Sequence, residues 1–279
     1  EDVRQTVFDT DRRSPGGVRW HDPTSAEHPA VRALSLTGDL AETLTDPDTQ
    51  LSLAYQPVRD LRTGRVTAVE ALLRWRHPQR GMVTPTDAIG VAEASGLIHP
   101  LGQWVLDRAL RQASAWWRSH RFVTVHVNVS PVELRSPSYA TAVARALSRH
   151  DLPPTALLLE LTETDLMIGD REVRATLDEL RALGVRLGID DFGAGWSSIG
   201  QLLDLPVDTV KVDRSLVSRI DDSPADLDLL RAVLGLLDTA PVEVVVEGVE
   251  NETQAAVLRT LGVRLVQGYH LGRPVPAHE

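Results

Sequence analysis

The sequence predicts an α/β protein built as a TIM-like (β/α)8 barrel, with strands one and two antiparallel. From about residue 51 onward, apolar stretches of strand length alternate with stretches of helical spacing. Eight strand candidates lie within roughly 230 residues, which suits this fold in number and in length. A doubly wound open sheet is the competing architecture, but no glycine-rich phosphate loop follows an early strand, so the barrel is preferred.

The predicted strands are short apolar runs, rich in valine and leucine. They are Leu51–Val58, Val66–Trp75, Phe122–Val129, Ala156–Leu161, Val185–Ile189, Val207–Val212, Val242–Val246 and Val263–Val266. The predicted helices are Leu101–Trp117, Pro131–Leu147, Arg171–Leu183 and Ala225–Leu237. Gly184 and Gly262 are expected to end helices, while Ser130-Pro131 and Ser223-Pro224 have the form of an N-cap followed by proline.

The link between the first two strands is short. It runs from Arg59 to Arg65 and contains Thr63-Gly64, which is typical of a turn. A crossover helix needs more residues than this, so we expect these two strands to pair antiparallel.

The first part of the chain has a different character, and we place the domain boundary near residues 30–38. Residues 1–37 are expected to form a linker or the remnant of a preceding domain, and residues 38–279 the barrel domain. Leu40–Leu44 is expected to begin a helix that leads into the barrel. Because the chain starts at Glu1 rather than methionine, we expect it to be part of a longer or processed protein.

Composition excludes several classes of function. The formal net charge is −10 and no basic stripe is visible, so binding to a DNA or RNA duplex is not expected. Cysteine is absent, which rules out disulfides and thiolate metal sites and fits the cytoplasm. No segment is apolar enough to cross a bilayer and no secretion signal is present, although segments outside this sequence could still anchor the full-length protein.

Seven strand ends share one pattern, in which an apolar run finishes on an acid, an amide or a lysine. These residues are Glu70, Asn128, Glu160, Asp190 with Asp191, Lys211, Glu247 and Gln267. In a barrel such positions converge on one mouth, where active sites are found. Gathered carboxylates repel one another and require a cation.

All-oxygen ligands without cysteine or histidine indicate Mg²⁺ or Mn²⁺. Adjacent aspartates suit a pair of ions, with one aspartate bridging both, and paired ions are a known device for phosphodiester hydrolysis. Taken singly, each residue has an ordinary structural explanation. A lone acid can cap a loop, Asn128 can cap the following helix, and Lys211 can neutralise an acid. The recurrence of the pattern at seven strands favours a site.

The same residues lie in motifs that resemble those of the EAL domain family, in family order over about residues 38–276. The motifs are Tyr55-Gln56-Pro57, Glu70–Pro78, Asn128-Val129-Ser130, Glu160–Glu163, Asp190–Ser198, Lys211–Ser215, Glu247–Glu250, Gln267-Gly268-Tyr269 and Gly272-Arg273-Pro274. The resemblance implies a metal-dependent phosphodiesterase that hydrolyses cyclic di-GMP to linear 5′-pGpG. The alternative is a catalytically silent EAL domain that binds cyclic di-GMP as a sensor.

The resemblance also implies roles for individual residues. It makes Glu70, Asn128, Glu160 and Asp190 ligands of a first metal ion, Asp191 a ligand of a second ion with Asp190 shared, and Glu247 a further carboxylate of the cluster. Lys211 would position or activate the nucleophilic water. Gln56 and Arg74 would hold the substrate, Arg74 through phosphate. Glu163 and Glu250 would brace the metal site and a neighbouring loop, and Gln267 would contact water or the metal site.

Three further expectations follow from the resemblance. Trp196 and Ala194 replace the tyrosine and threonine that are common in the loop of residues 191–198, which leaves the catalytic set intact but changes a regulatory loop. Residues 3–23 resemble the end of a GGDEF domain, so a preceding regulatory domain is expected in the full-length chain. Pairing into a homodimer through the EAL domain is also expected.

Overall fold

The computed structural model describes residues 29–162, 170–194 and 207–278. Within these residues nine strands form one sheet. They are β1 (Leu51–Asp60), β2 (Val66–His77), β3 (Gly81–Val83), β4 (Thr124–Asn128), β5 (Leu157–Thr162), β6 (Arg186–Phe192), β7 (Thr209–Val212), β8 (Glu243–Val246) and β9 (Leu265–Val266). The helices are α1 (Pro29–Thr43), α2 (Pro85–Ser95), α3 (Ile98–Arg118), α4 (Pro131–Leu134), α5 (Tyr139–Arg149), α6 (Arg171–Ala182), α7 (Pro224–Leu237) and α8 (Glu252–Thr260).

The sheet closes on itself into an eight-stranded barrel, which confirms the predicted fold class. The strand order is β1-β9-β8-β7-β6-β5-β4-β2-β3, and an additional pairing of β1 with β2 closes the ring. β1 runs antiparallel to both of its neighbours, β2 and β9, while β2 and β4 through β9 pair in parallel. The short strand β3 adds to β2 as an antiparallel hairpin outside the ring.

The turn between β1 and β2 has the predicted form. Gly64 adopts a φ of 69°, a left-handed conformation that costs glycine little. The carboxylate of Asp60 accepts hydrogen bonds from the backbone N–H groups of Arg62 and Thr63, which fixes the turn. The short link therefore reverses the chain and makes β1 the one strand of the barrel that runs against the others.

Helix ends follow the sequence signals closely. Ser130 caps α4 in a capping box with Glu133, and the Ser223 side chain accepts from the backbone N–H of Asp226 at the start of α7. Gly184 and Gly262 take φ values of 87° and 81° directly after α6 and α8. These conformations end both helices and turn the chain toward the following strand.

Two helix predictions were wrong in their bounds. The single helix expected over Pro131–Leu147 is two helices, α4 and α5, because Pro137 lies between them and cannot continue a helical hydrogen-bond ladder. The helix expected to begin at Leu40–Leu44 instead ends there, since α1 finishes at Thr43. α2 and β3 were not predicted as elements, and of α8 only the end at Gly262 was predicted.

The barrel strands and the surrounding helices share one large apolar core. Leu159, Leu187 and Val210 in the strands are fully buried, and Leu110 and Leu180 pack against them from α3 and α6. A second cluster around Leu40 and Trp75 joins α1 and α2 to the outer end of β2. No helix in the described part of the chain is long and apolar enough to cross a membrane.

The loops after β8 and β9 pack backbone to backbone, which gives a test of the fold at Gly268. A Cβ on Gly268 would overlap the backbone of Val249, so Gly268→Ala is expected to lower the free energy of unfolding by about 1–3 kcal/mol. The matched control is Gly235→Ala in α7, where a Cβ would meet nothing within 4 Å and a small gain is expected. Urea denaturation measures both, and equal stability of the two variants would contradict this packing.

Candidate active site

Polar side chains from the carboxyl ends of the parallel strands meet at one mouth of the barrel, as predicted. The neighbouring strands β4 and β5 place Asn128 directly opposite Glu160, and β1 and β2 place Gln56 opposite Glu70. Lys211 lies in β7, between β6 and β8 in the ring. The fold therefore turns residues that are far apart in sequence into one cluster.

The centre of the cluster is the ammonium group of Lys211. Its Nζ lies 2.8 Å from Glu247 Oε1, 3.1 Å from Glu160 Oε2, 3.1 Å from Asp190 Oδ1 and 3.3 Å from Glu70 Oε2. The lysine side chain is 1% exposed. A buried ammonium is costly without partners, and here four carboxylates surround it, three from β2, β5 and β6 and one, Glu247, directly after β8.

Glu70 is held by a chain of amides in addition to Lys211. Asn128 Nδ2 donates to Glu70 Oε1 at 2.9 Å, and Gln267 Nε2 donates to Glu70 Oε2 at 2.6 Å. The same Gln267 nitrogen lies 3.2 Å from Gln56 Oε1, and Gln56 Nε2 donates to the carbonyl of Gly272. Both oxygens of Glu70 thus have donors, which fixes the orientation of the carboxylate.

Glu160 is the most enclosed acid of the site, with a side chain that is 0% exposed. One oxygen contacts Lys211, and the other, Oε1, lies 2.8 Å from Nδ1 of His126. His126 was not among the predicted site residues. It precedes Asn128 by two positions in β4, and in a strand this spacing places two residues on the same face, so the alternation of the strand was the signal that could have found it.

Asp190 and Asp191 reach the same mouth through an irregularity in β6. Neighbouring residues of a regular strand point to opposite faces, but the register of β6 against β7 shifts between Ile189 and Phe192. Asp191 has a φ of 56°, a left-handed conformation that is uncommon for any residue except glycine. Its backbone N–H donates to Asp190 Oδ1 at 3.0 Å, which ties the two aspartates together.

The charges of the cluster do not balance. Burial opposes ionisation of Glu160 and holds its pKa well above the usual range, although Lys211 partly offsets this. Burial likewise raises the pKa of Glu247 to about 8, and burial and the neighbouring Asp190 raise the pKa of Asp191. Burial alone would lower the pKa of Lys211, but the surrounding carboxylates raise it well above its usual value, so the lysine stays protonated.

Glu70 and His126 shift in the other direction. Burial opposes ionisation of Glu70, but the charge of Lys211 and the hydrogen bonds from Gln267 and Asn128 outweigh it and hold its pKa below the usual value. Burial, reinforced by the charge of Lys211, lowers the pKa of His126 to about 3. The histidine is therefore neutral at physiological pH.

The donor set fits divalent cations. Oxygen atoms of Glu70, Glu160 and Asp190 lie within 4.8 Å of one another, and so do those of Asp190, Asp191 and Glu247, with Asp190 common to both groups. Five carboxylates face one ammonium, so the site carries excess negative charge that hard cations neutralise. Among the described residues, buried Gln267 Oε1 has no hydrogen-bond partner, which leaves an acceptor for a ligand of the site.

The remaining predicted residues lie at the edge of the cluster or outside the described part of the chain. Arg74 follows Glu70 by four residues in β2 and donates to the carbonyl of Leu73 rather than to the acids. Glu250 is exposed, and its backbone N–H donates to Gln254 Oε1. Glu163 and Trp196 lie outside the described residues, as does most of the loop that follows Ala194. The roles of these residues stay predictions.

Fold and site together define a (β/α)8 barrel with acidic groups that could hold divalent cations at the carboxyl ends of its strands. The EAL domain family model matches residues 39–274. The chain belongs to the EAL domain family.

Curated relatives are similar over most of this chain but are much longer. An uncharacterized signaling protein of Caulobacter vibrioides is 42% identical over 87% of this chain and 29% of its own length. Two proteins of Pseudomonas aeruginosa are also similar to this chain. The cyclic di-GMP phosphodiesterase NbdA is 41% identical over 88% of this chain and 31% of its own length, and the bifunctional diguanylate cyclase/cyclic di-GMP phosphodiesterase MucR is 39% identical over 90% and 36%. The chain thus spans about a third of the length of these relatives.

Solved structures show the same architecture. The MucR phosphodiesterase in complex with c-di-GMP superposes with a TM-score of 0.81 at 39% identity, covering 88% of this chain and 98% of that one. The EAL enzyme Bd1971, bound to cAMP and cyclic di-GMP, gives a TM-score of 0.83 at 29% identity, covering 90% and 68%.

The raised pKa of Glu247 gives a pH dependence of stability. Folding raises the pKa of this carboxyl group from 4.5 to about 8. The group therefore stabilises the folded protein fully at pH values below 4.5, and this stability is lost as the pH rises through about 8. Metal-free protein is therefore expected to lose about 5 kcal/mol of unfolding free energy across this window, at about 1.4 kcal/mol for each pKa unit. Saturating Mg²⁺ should reduce the loss, because it binds the ionised form.

Urea denaturation at a series of pH values, with a chelator or with Mg²⁺, measures this slope. Glu247→Gln is the control, since an amide does not titrate and the variant should show a shallower slope. Metal-free native protein that becomes more stable between pH 5 and pH 8 would contradict the charge balance described above.

Proposed function

We propose that this chain is a metal-dependent phosphodiesterase that hydrolyses cyclic di-GMP to linear 5′-pGpG. The observation that carries the proposal is the ring of carboxylates around Lys211: Glu70, Glu160, Asp190 and Glu247 each lie within 3.3 Å of its ammonium group. A binding-only domain has no need for so many unneutralised acids, because each one repels an anionic substrate.

The proposed metal site uses Mg²⁺ or Mn²⁺, two ions in all. Glu70, Asn128, Glu160 and Asp190 would hold the first ion, and Asp190 and Asp191 would hold the second, with Glu247 as a further carboxylate. Bound there, such ions lower the pKa of water and stabilise negative charge on phosphoryl oxygens. The spacing of the carboxylate oxygens in two groups that share Asp190 supports this arrangement.

Lys211 has a defined part in the proposed reaction. Its raised pKa keeps it protonated, so it acts as a hydrogen-bond donor and a positive charge rather than as a base. In that state it positions the attacking water and keeps the surrounding carboxylates apart in fixed orientations. The water gives up a proton as its oxygen bonds to phosphorus, the bond from phosphorus to the ribose 3′ oxygen breaks, and the 3′ oxygen takes up a proton to become a hydroxyl group.

Gln56 and Arg74 are the proposed substrate-holding residues. Gln56 is joined to the site through Gln267, and Arg74 lies four residues beyond Glu70 on the same strand, at the outer side of the mouth. A guanidinium offers phosphate two parallel charge-assisted hydrogen bonds. Arg74 is free to make them if it exchanges its present contact with the Leu73 carbonyl for the substrate.

The relatives support the choice of substrate. NbdA and MucR are named for cyclic di-GMP phosphodiesterase activity, and the MucR structure contains c-di-GMP. We further propose that residues 38–279 form the catalytic unit and that a regulatory domain precedes it in the full-length protein. MucR, named as bifunctional and matched over 36% of its length, supports this organisation.

Loss of one proposed ligand tests the function. Glu70→Ala is expected to reduce turnover of cyclic di-GMP at saturating Mg²⁺ or Mn²⁺ by at least about 100-fold, because it removes a carboxylate from the centre of the site. The matched control is Glu243→Gln, which removes a carboxylate at the opposite end of the barrel, where Glu243 pairs with Arg186. The control should retain turnover. Product is measured by chromatography.

The same assay separates the enzyme from a sensor. Native protein that binds cyclic di-GMP but returns it unchanged at high enzyme concentration would overturn the proposal in favour of the binding module. Turnover by Glu70→Ala at the native rate would also overturn it, because the cluster would then have no catalytic part.

A further inference from the structure

His126 is a buried histidine that neither the sequence motifs nor the proposed reaction uses. It lies in β4, is 3% exposed, and directs Nδ1 to Glu160 Oε1 at 2.8 Å. The side chain of Glu160 is itself inaccessible to solvent. Bulk solvent therefore does not reach this contact.

Both oxygen atoms of the Glu160 carboxylate have a hydrogen-bond partner. Oε2 contacts Lys211 at 3.1 Å, and Oε1 contacts His126. A carboxylate pinned by one donor can rotate about its Cγ–Cδ bond, whereas two donors on opposite oxygens fix the plane of the group. Of these two donors, Lys211 is shared with three other acids. His126 lies within hydrogen-bond distance of Glu160 and of no other carboxylate of the described cluster.

We propose that His126 is a positioning residue that orients Glu160 for binding a divalent cation. The inference rests on the proposed function, since it takes Glu160 to be a metal ligand. A ligating carboxylate is ionised, so in the loaded site the shared proton resides on Nδ1 of His126, and the imidazole is neutral. Outer partners of this kind contribute to metal affinity because they orient the ligand before the ion arrives.

The alternative is that His126 only fills space in the barrel. Two substitutions separate the roles. His126→Asn keeps an N–H donor close to the position of Nδ1, whereas His126→Leu keeps much of the volume and removes the donor. Val127→Ala is the matched control: Val127 is the next residue of β4, is 3% exposed in the apolar core, and belongs to the opposite face of the strand.

The first measurement is Mn²⁺ binding to metal-free protein by titration calorimetry, without substrate. His126→Leu is expected to weaken binding by roughly 10–100-fold, and His126→Asn to remain within about threefold of native protein. Val127→Ala should lower the melting temperature and leave Mn²⁺ affinity unchanged. Turnover should follow the same order as Mn²⁺ affinity, with the loss in His126→Leu partly recovered at high Mn²⁺.

Two outcomes would overturn the inference: folded His126→Leu that binds Mn²⁺ like native protein, or His126→Asn that binds as weakly as His126→Leu. If His126→Leu does not fold, ¹⁵N NMR of the native imidazole in the Mg²⁺-loaded protein decides, because the inference requires the proton on Nδ1 and a proton on Nε2 contradicts it. Failure of native protein to bind Mn²⁺ at all would instead count against the proposed function.

Discussion

The structure depends on one electrostatic constraint, which is a buried ammonium group surrounded by carboxylates. Neither partner is stable alone in the interior, because an unpaired charge there costs several kcal/mol. Lys211 on β7 pairs with acids of β2, β5 and β6 and with Glu247 directly after β8, so the ion pairs join residues that are far apart in sequence. The closed ring of strands is what brings these groups within reach, and the ion pairs in turn favour closure in this register.

The remaining polar groups orient the acids and leave a surplus of negative charge. The side-chain amides of Asn128 and Gln267 hold Glu70, and the imidazole of His126 holds Glu160. The bulge in β6 brings Asp190 and Asp191 to the same side. One ammonium group cannot neutralise five acids. Burial raises the pKa values of Glu160 and Glu247, and the charge of Lys211 offsets this only in part. This imbalance favours binding of cations at the site, which is the physical basis of the proposed phosphodiesterase reaction.

The sequence alone predicted most of the strands and most of the site residues. The elements and residues that it did not predict were missed for physical reasons. Alternating apolar runs predicted all eight barrel strands, and the short Arg59–Arg65 link predicted the antiparallel pair. The acids and Lys211 were predicted because each of them follows an apolar run of the sequence. His126 was missed because its environment is created by β5 and β7, far away in sequence. The break at Pro137 was missed because apolar periodicity continues across it.

The central claim is that the acids around Lys211 form a site for two divalent cations. The most direct measurement is an anomalous difference map from crystals of this protein grown with Mn²⁺ and a slowly hydrolysed analogue of cyclic di-GMP. The account predicts two anomalous peaks, both contacting Asp190, one also contacting Glu70 and Glu160 and the other Asp191. The account would be contradicted if Mn²⁺-saturated crystals showed no anomalous peak at this mouth. It would also be contradicted if the nucleotide analogue were bound there with Lys211 as the only cation beside the acids.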